Sequence, residues 1–132
     1  GILISEILEA GKEKLGHVKR LILQPNNHEE SLRQWLVNHQ FVIKKEEILL
    51  EAGKFYEIIV AEPLSKLMTE KLSVNDLTFG PFLSKEKSTV FQQKWQKELN
   101  TLNKIIARLP EEQAKKRQEV LNQIARIEEV LR

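Results

Sequence analysis

The feature that most constrains the fold is a short apolar run that ends abruptly in a polar turn. Leu21–Leu23 is apolar without alternation, which is typical of a strand covered on both faces of a sheet by helices. Pro25 lacks the N–H that a strand needs, so we predict a strand over residues 17–24 and a turn directly after it. In open α/β sheets, ligands bind at such carboxyl ends of strands. The turn is therefore a candidate ligand site.

Helices are predicted on both sides of this strand. Apolar residues recur at helical spacing over residues 2–10. After the strand, Asn27 is predicted to be an N-cap, because Glu30 follows it by three residues and completes a capping box. The helix that follows carries Trp35 on its apolar stripe and ends near residues 38–39.

A β-hairpin is predicted over residues 41–60. Ile43 and Ile48 both belong to apolar faces, but the change from odd to even positions requires one extra residue between 44 and 47, which predicts a bulge. The turn lies at residues 52–54, and Pro63 closes the last strand. A tight hairpin makes this last strand antiparallel to its predecessor. Because the last strand is the more apolar of the pair, we place it between the other two.

Two long helices are predicted at the end of the chain, after a connector over residues 64–83. The connector contains a candidate short helix over 64–72 and a turn over 79–83 that packs back on the body. From residue 84 onward, apolar residues recur every three or four positions, and Pro110 with two following acidic residues marks the start of a second helix. We predict an antiparallel two-helix coiled coil, with Trp95 as its largest anchor.

Composition narrows the classes of function. The chain has no cysteine, which excludes disulfides and thiolate chemistry. No apolar run approaches the roughly 20 residues of a membrane span, and no leader pattern is present, so we expect a cytoplasmic protein. The three histidines have no metal-ligand spacing, so we expect surface positions and no metal site. The pairs Glu29–Glu30 and Glu46–Glu47 are predicted to be solvated, whereas Trp35 and Tyr56 are predicted core residues.

Several segments carry a specific resemblance to one family. They occur in this order: residues 20–26 (RLILQPN), 32–36 (LRQWL), 51–60 (EAGKFYEIIV), 79–81 (FGP) and 94–95 (KW). Together they are similar to the C-terminal part of the bacterial tRNA (adenine(22)-N(1))-methyltransferase family, over essentially the whole chain. The resemblance implies the C-terminal half of a Rossmann-like class I methyltransferase sheet with a reversed last strand, followed by the coiled coil.

The resemblance also implies a site and a cofactor. Residues 1–83 would be the end of an S-adenosyl-L-methionine-dependent methyltransferase domain, and residues 84–132 its coiled-coil domain. Gly1 would be the last glycine of a cofactor-side loop, with Gln24, Pro25 and Asn26 beside it as catalytic residues. Simple turn chemistry also explains Gln24 and Asn26. The glycine-rich loop and ribose-binding acid of the first strands are absent, so we expect a chain that starts inside a larger protein; a processed terminus or a cloning remnant is the alternative.

The substrate implied by the resemblance is tRNA, methylated at N(1) of an adenine in the D-arm region. Residues 84–132 contain 11 Lys or Arg and 7 Asp or Glu, whereas residues 1–83 contain 10 and 12. This imbalance fits a polyanion partner, although a solvated basic hairpin would have the same charge. The alternative function is a non-catalytic helical-hairpin interaction module on an α/β scaffold, and the oligomeric state stays open. The candidate RNA-binding residues are Lys94, Lys97, Lys104, Lys115, Lys116 and Arg117.

Overall fold

The computed structural model describes residues 2–11, 18–65 and 71–132. These residues divide into two compact units, Gly1–Glu86 and Lys87–Arg132. The elements are, in chain order, α1 (Ile2–Ala10), β1 (Leu21–Leu23), α2 (Glu29–Asn38), β2 (Phe41–Glu51), β3 (Lys54–Pro63), α3 (Val74–Phe79), α4 (Leu83–Glu86), α5 (Thr89–Arg108) and α6 (Ala114–Val130).

The first unit is α/β, with a three-stranded sheet in which β3 lies between β1 and β2 and runs antiparallel to both. Strand β1 is only three residues long, so the predicted strand over residues 17–24 was too long. It pairs with β3 from Leu21, opposite Ala61, to Leu23, opposite Ile59. The turn at Pro25 limits it on one side, and His17 lies outside the described residues.

A bulge in β2 decides which side chains face the core. Ile43 pairs with Ala61, but the next step along β3 pairs with Lys45, so Lys44 is the extra residue. The predicted bulge is thus confirmed. Its consequence is that the residues after it change faces, and Glu46 comes to lie on the same side of the sheet as Ile43.

The predicted hairpin turn is also confirmed. Ala52 and Gly53 connect the two strands and have φ values of 51° and 77°. Two consecutive positive φ values are what a two-residue hairpin loop with the twist of its strands requires. Glycine at the second position adopts this conformation without a steric penalty.

Helices α1 and α2 cover one face of the sheet. Leu21 and Leu23 of β1 pack there, whereas Ile22 points to the other side and is 69% exposed. The expectation that this strand is covered on both faces is therefore wrong for the part of the chain that the structure describes. Trp35 is buried, as predicted, and Tyr56 is half-buried. The buried core consists of Leu8, Leu32, Trp35, Leu36, Phe41, Ile43, Ile59 and Ala61.

Helix α2 begins one residue later than predicted. Its N-cap is His28, in a left-handed conformation with φ of 52° and without a side-chain cap, so the predicted Asn27 cap is wrong. Instead, Glu29 and Glu30 in the first turn place negative charge where the helix dipole favours it.

The connector contains one short helix, α3, that the sequence pattern did not predict. The helical pattern predicted from residue 84 onward is divided between α4 and α5, which residues 87–88 separate. Ser73 begins α3 with a reciprocal capping box to Asp76. Phe79 and Leu83 are each only 1% exposed, and the backbone N–H of Phe82 donates to the Glu46 carboxylate of β2. The predicted turn over residues 79–83 therefore does pack back on the first unit. The candidate short helix over 64–72 falls partly on residues 66–70, which lie outside the described residues.

The second unit is a helical hairpin. Helix α6 starts at Ala114, later than the predicted start at Pro110, because Gln113 donates to the Pro110 carbonyl and closes a turn. At the other end, Lys87 Nζ reaches the Arg132 carbonyl, so the two helices run in opposite directions. Their buried apolar residues are Phe91, Leu102, Val120, Ile124 and Ile127.

Candidate functional site

The polar turn at the carboxyl end of β1 presents amide groups to solvent. Gln24 and Asn26 are exposed, and Pro25 between them is fully buried, so the proline anchors the turn while its neighbours project outward. His28 is exposed at the end of the same turn. Each amide side chain can donate and accept hydrogen bonds, which suits recognition of a base edge. Gly1, the fourth predicted residue of this site, lies outside the described residues.

The predicted basic residues of the second unit form a stripe on α5 and a pair on α6. Lys94, Lys97 and Lys104 are spaced by three and seven residues, so they share one side of the helix over about 15 Å. Lys97 and Lys104 are exposed, whereas Lys94 is half-buried with Nζ 5.0 Å from the ring centroid of Trp95. On α6, Lys115 and Lys116 are both exposed in the first turn.

Arg117 has a different environment from the lysines. It is half-buried, and its Nη1 donates to the carbonyls of Ile106 at 3.1 Å and Leu109 at 2.9 Å. These are carbonyls at the end of α5 that lack partners within that helix. The guanidinium thus caps α5, and a substitution of Arg117 would change the hairpin itself as well as its charge.

A buried ion cluster lies in the first unit and was missed by sequence reasoning. We define it as Arg33 of α2 with Glu46 of β2 and Glu57 of β3, all at most 4% exposed. Arg33 Nε donates to Glu46 Oε2 at 2.8 Å, and its Nη2 lies 2.5 Å from Glu57 Oε1. The prediction that Glu46 is solvated is therefore wrong, because the bulge turns it toward α2.

The buried ion cluster also holds the connector. Arg33 Nη1 donates to the carbonyl of Leu77 at 3.0 Å and, more weakly, to that of Thr78 at 3.4 Å. Glu46 Oε1 accepts from the backbone N–H of Phe82 at 2.9 Å. Gly80 lies directly over the cluster with φ of 93°, where a Cβ would come within 2.8 Å of both charged groups. The absence of a side chain at Gly80 permits this close approach.

The charge state of Arg33 follows from its partners. Burial alone lowers the pKa of its guanidinium, because the charged form loses hydration. The nearby carboxylates of Glu57 and then Glu46 outweigh that effect and raise the pKa of Arg33 above its ordinary value. Arg33 is therefore a permanent cation that links three elements and the connector.

A sequence signal for this cluster does exist. Arg33 lies within the apolar stripe of α2, beside Leu32, and Glu57 interrupts an otherwise apolar strand. A charged residue at a core position needs an opposite partner, since an unpaired buried charge is strongly unfavourable. The parity change that predicts the bulge also turns Glu46 inward.

The two histidines within the described residues, His28 and His39, have different environments. His28 is exposed, but His39 is half-buried, so the expectation of a surface position is only partly correct. His39 Nε2 lies 3.0 Å from the Glu9 carboxylate, which also accepts from the Trp35 indole N–H. Across the described ranges, no cluster of three or more His, Asp or Glu has a geometry that could hold a metal ion. None of the described helices has the length and apolar character of a membrane span.

Comparison with known proteins identifies relatives along nearly the full chain. The family model TrmK, described as tRNA (adenine(22)-N(1))-methyltransferase, matches residues 1–129. The tRNA (adenine(22)-N(1))-methyltransferase of Bacillus subtilis (strain 168) is 38% identical over 138 residues, which cover 99% of this chain and 58% of the relative.

Solved structures agree with this match. The crystal structure of a Streptococcus pneumoniae protein assigned as a tRNA (m1A22) methyltransferase is 53% identical, with a TM-score of 0.93, over 98% of this chain and 57% of that one. A structure of the same protein in complex with S-adenosyl-L-methionine is 52% identical, with a TM-score of 0.88, over 98% and 55%. The chain thus spans somewhat more than half the length of these relatives, and it belongs to the TrmK family, described as tRNA (adenine(22)-N(1))-methyltransferase.

Proposed function

We propose that the protein carrying this chain is an S-adenosyl-L-methionine-dependent methyltransferase of the cytoplasm that methylates N(1) of an adenine in the D-arm region of tRNA. The observation that carries this proposal is the family match over residues 1–129. The relative in complex with S-adenosyl-L-methionine supports the choice of methyl donor. The same matches favour an enzyme over the alternative of a non-catalytic helical-hairpin interaction module.

We infer that residues 1–83 are the C-terminal part of a class I methyltransferase domain in which β3 is the reversed strand of a larger sheet. Support comes from the free side of β1, where the described residues place no further strand. Ile22 is 69% exposed, and Leu3 and Ile7 of α1 are 68% and 62% exposed. Apolar surface of this kind marks a place where further chain packs.

For the second unit we propose that α5 and α6, which lie within the predicted coiled-coil domain of residues 84–132, form an antiparallel coiled coil that binds the tRNA backbone. The buried residues of α6 recur at steps of four and three, as in a heptad seam. The stripe of Lys94, Lys97 and Lys104 and the pair Lys115 and Lys116 lie away from this seam, and all of them except the half-buried Lys94 are exposed. We propose Arg117 as an RNA contact as well, in addition to its role in capping α5.

The proposed reaction places the target adenine at the turn after β1. The base must leave its stack to reach a pocket, and its exposed edge then needs donors and acceptors. We assign that role to Gln24 and Asn26, with Pro25 fixing the turn that carries them. N(1) would form a bond to the donor's methyl carbon with its ring lone pair while the carbon–sulfur bond breaks and leaves its electrons on sulfur. The positive charge would thereby pass from the sulfonium to the product ring. Charge balance in the transfer step therefore requires no catalytic base.

The cofactor, when bound, supplies the methyl group. The turn Gln24–Asn26 contains neither glycine nor an acidic residue, so its chemistry fits the base better than the ribose or the methionine part of the cofactor. We propose Gly1 as the cofactor-side residue of this chain. The rest of the cofactor site is assigned to the portion of the relatives that this chain does not span.

The activity test uses the protein at its full natural length. Incubation with S-adenosyl-L-methionine and a tRNA transcript should yield 1-methyladenosine, identified by mass spectrometry of the nucleosides and located in the D-arm by mass spectrometry of nuclease fragments. The variants Gln24→Ala and Asn26→Ala should lower turnover by roughly tenfold or more, the effect of removing a hydrogen bond that orients a reacting group. A folded protein that binds the methyl donor and methylates no adenine would overturn the assignment.

The RNA surface is tested separately by neutralising two lysines of α5. The double variant Lys97→Gln, Lys104→Gln should weaken tRNA binding and reduce the slope of log K against log salt by about 1.5, the value for two lost phosphate contacts. The control Lys54→Gln removes an exposed lysine from the hairpin turn of the first unit. Equal slopes for the double variant and the wild type would contradict the proposed RNA surface.

A further inference from the structure

The buried ion cluster has two kinds of contact. Glu57 meets Arg33 at Nη2, and Glu46 Oε2 lies 2.8 Å from the same nitrogen. Glu46 instead meets Arg33 with Oε2 and the connector with Oε1, at the backbone N–H groups of Phe82 and Leu83. Glu46 therefore joins the sheet to the connector, whereas the described contact of Glu57 lies within the cluster.

We propose that Arg33 and Glu46 are positioning residues that clamp residues 77–83 to the β-hairpin of β2 and β3. The clamp thereby keeps the segment that connects the two units, the tether, short. This inference rests on the proposed function, in which both units contact the same tRNA. Helix α4 ends at Glu86 and α5 begins at Thr89, so residues 87–88 alone separate the last clamped helix from the RNA-binding hairpin.

The length of the tether sets how much each unit aids the binding of the other. Release of residues 77–86 would lengthen the segment that connects the two units from two residues to about twelve. The effective concentration of one binding surface for the other falls as roughly the −3/2 power of tether length, which gives a loss of roughly tenfold in tRNA affinity. Neither unit has to lose a direct contact with RNA for this to happen.

A matched pair of substitutions separates clamping from simple stabilisation. In Glu46→Gln, the amide oxygen will face the Arg33 cation, so the amide N–H₂ faces the N–H of Phe82 and that contact is lost. In Glu57→Gln, the amide oxygen can still accept from Arg33, and the connector contacts of Glu46 stay intact. Both variants remove one buried negative charge beside the same guanidinium.

The experiment compares the two variants at full natural length. Hydrogen exchange followed by mass spectrometry should be roughly tenfold faster over residues 77–86 in Glu46→Gln, and unchanged there in Glu57→Gln. The tRNA affinity should fall roughly tenfold only in Glu46→Gln, with affinity for S-adenosyl-L-methionine unchanged in both. If Glu46→Gln does not fold, Glu46→Asp keeps the charge but withdraws it from Phe82, and the same results are expected.

The outcomes distinguish the clamp from the proposed function. Equal acceleration over residues 77–86 in both variants, or none in either, would overturn the clamp. Acceleration in Glu46→Gln without a loss of tRNA affinity would overturn the tether argument. A wild-type protein that binds no tRNA would refute the proposed function, and the link between the clamp and RNA would fall with it.

Discussion

Replacement of Gly80 by alanine tests the buried ion cluster most directly. An ideal Cβ at this position would lie 2.7 Å from Glu46 Oε1 and 2.8 Å from Arg33 Nη2, closer than real Cβ contacts allow. The backbone there has φ of 93°, which L residues rarely adopt. Alanine therefore adds backbone strain and also forces the charged groups apart.

The expected loss of unfolding free energy is the sum of these two effects. Strain at such a position costs about 1–3 kcal/mol. Disruption of a buried ion pair costs about 3–5 kcal/mol, because it leaves charge uncompensated. We expect Gly80→Ala to lower the free energy of unfolding of the first unit by about 4 kcal/mol or more. Gly53→Ala is the matched control, since Gly53 also has a positive φ, of 77°, but nothing lies within 4 Å of its Cβ position.

The assay is urea unfolding at 25 °C, followed through hydrogen exchange of peptides from β3, which report on the first unit. Gly53→Ala should lower the free energy of unfolding through backbone strain alone, by about 1–2 kcal/mol. If the loss for Gly80→Ala exceeds that for Gly53→Ala by less than about 1 kcal/mol, the close approach does not stabilise the protein and the reasoning is refuted.

Two further predictions concern the second unit and the charge of Arg33. Trp95→Ala should lower the unfolding free energy of the second unit by about 2 kcal/mol, below the range for fully buried tryptophan because Trp95 is half-buried; exchange of α5 peptides in urea measures it, and a loss below about 0.5 kcal/mol would contradict the packing role. Because Glu57 and Glu46 raise the pKa of Arg33, its charge-dependent stabilisation is fully present below the unfolded arginine pKa and is lost only as pH rises through the still higher pKa of the folded state. Protection of the Phe82 and Leu83 amides, corrected for intrinsic exchange, should thus stay constant from about pH 6 to pH 9; a decline of tenfold would contradict it.

Much of the fold follows from local rules in the sequence. Pro25 ends β1, the parity change before Ile48 gives the bulge, and Gly53 gives the turn, because each depends on neighbouring residues only. The extent of β1 was overestimated, since strand length depends on the partner β3 as well as on apolar character. The cap at His28 was missed by one residue, because its left-handed backbone without a side-chain cap is not specified by the capping pattern of Asn27 and Glu30.

The candidate site is predictable only where it depends on neighbouring residues in the sequence. Gln24 and Asn26 lie in an exposed turn because Pro25 and the end of β1 put them there. The pairing of Arg33 with Glu46 joins residues 13 positions apart through helix docking, which no local pattern specifies. The capping role of Arg117 likewise depends on where α5 ends and how α6 returns beside it.

The single extra residue at Lys44 has a consequence for how this segment tolerates insertions and deletions. Loss of one residue between Ile43 and Glu46 would restore regular pairing and turn Glu46 to the opposite side of the sheet, leaving the Arg33 cation without it. The hairpin tip at Ala52–Gly53 is exposed, and no described atom lies within 4 Å of a Cβ built on Gly53, so an insertion there would not displace a packed group. Natural variation in chain length should therefore gather at the tip and avoid the bulge, although both lie in the same hairpin.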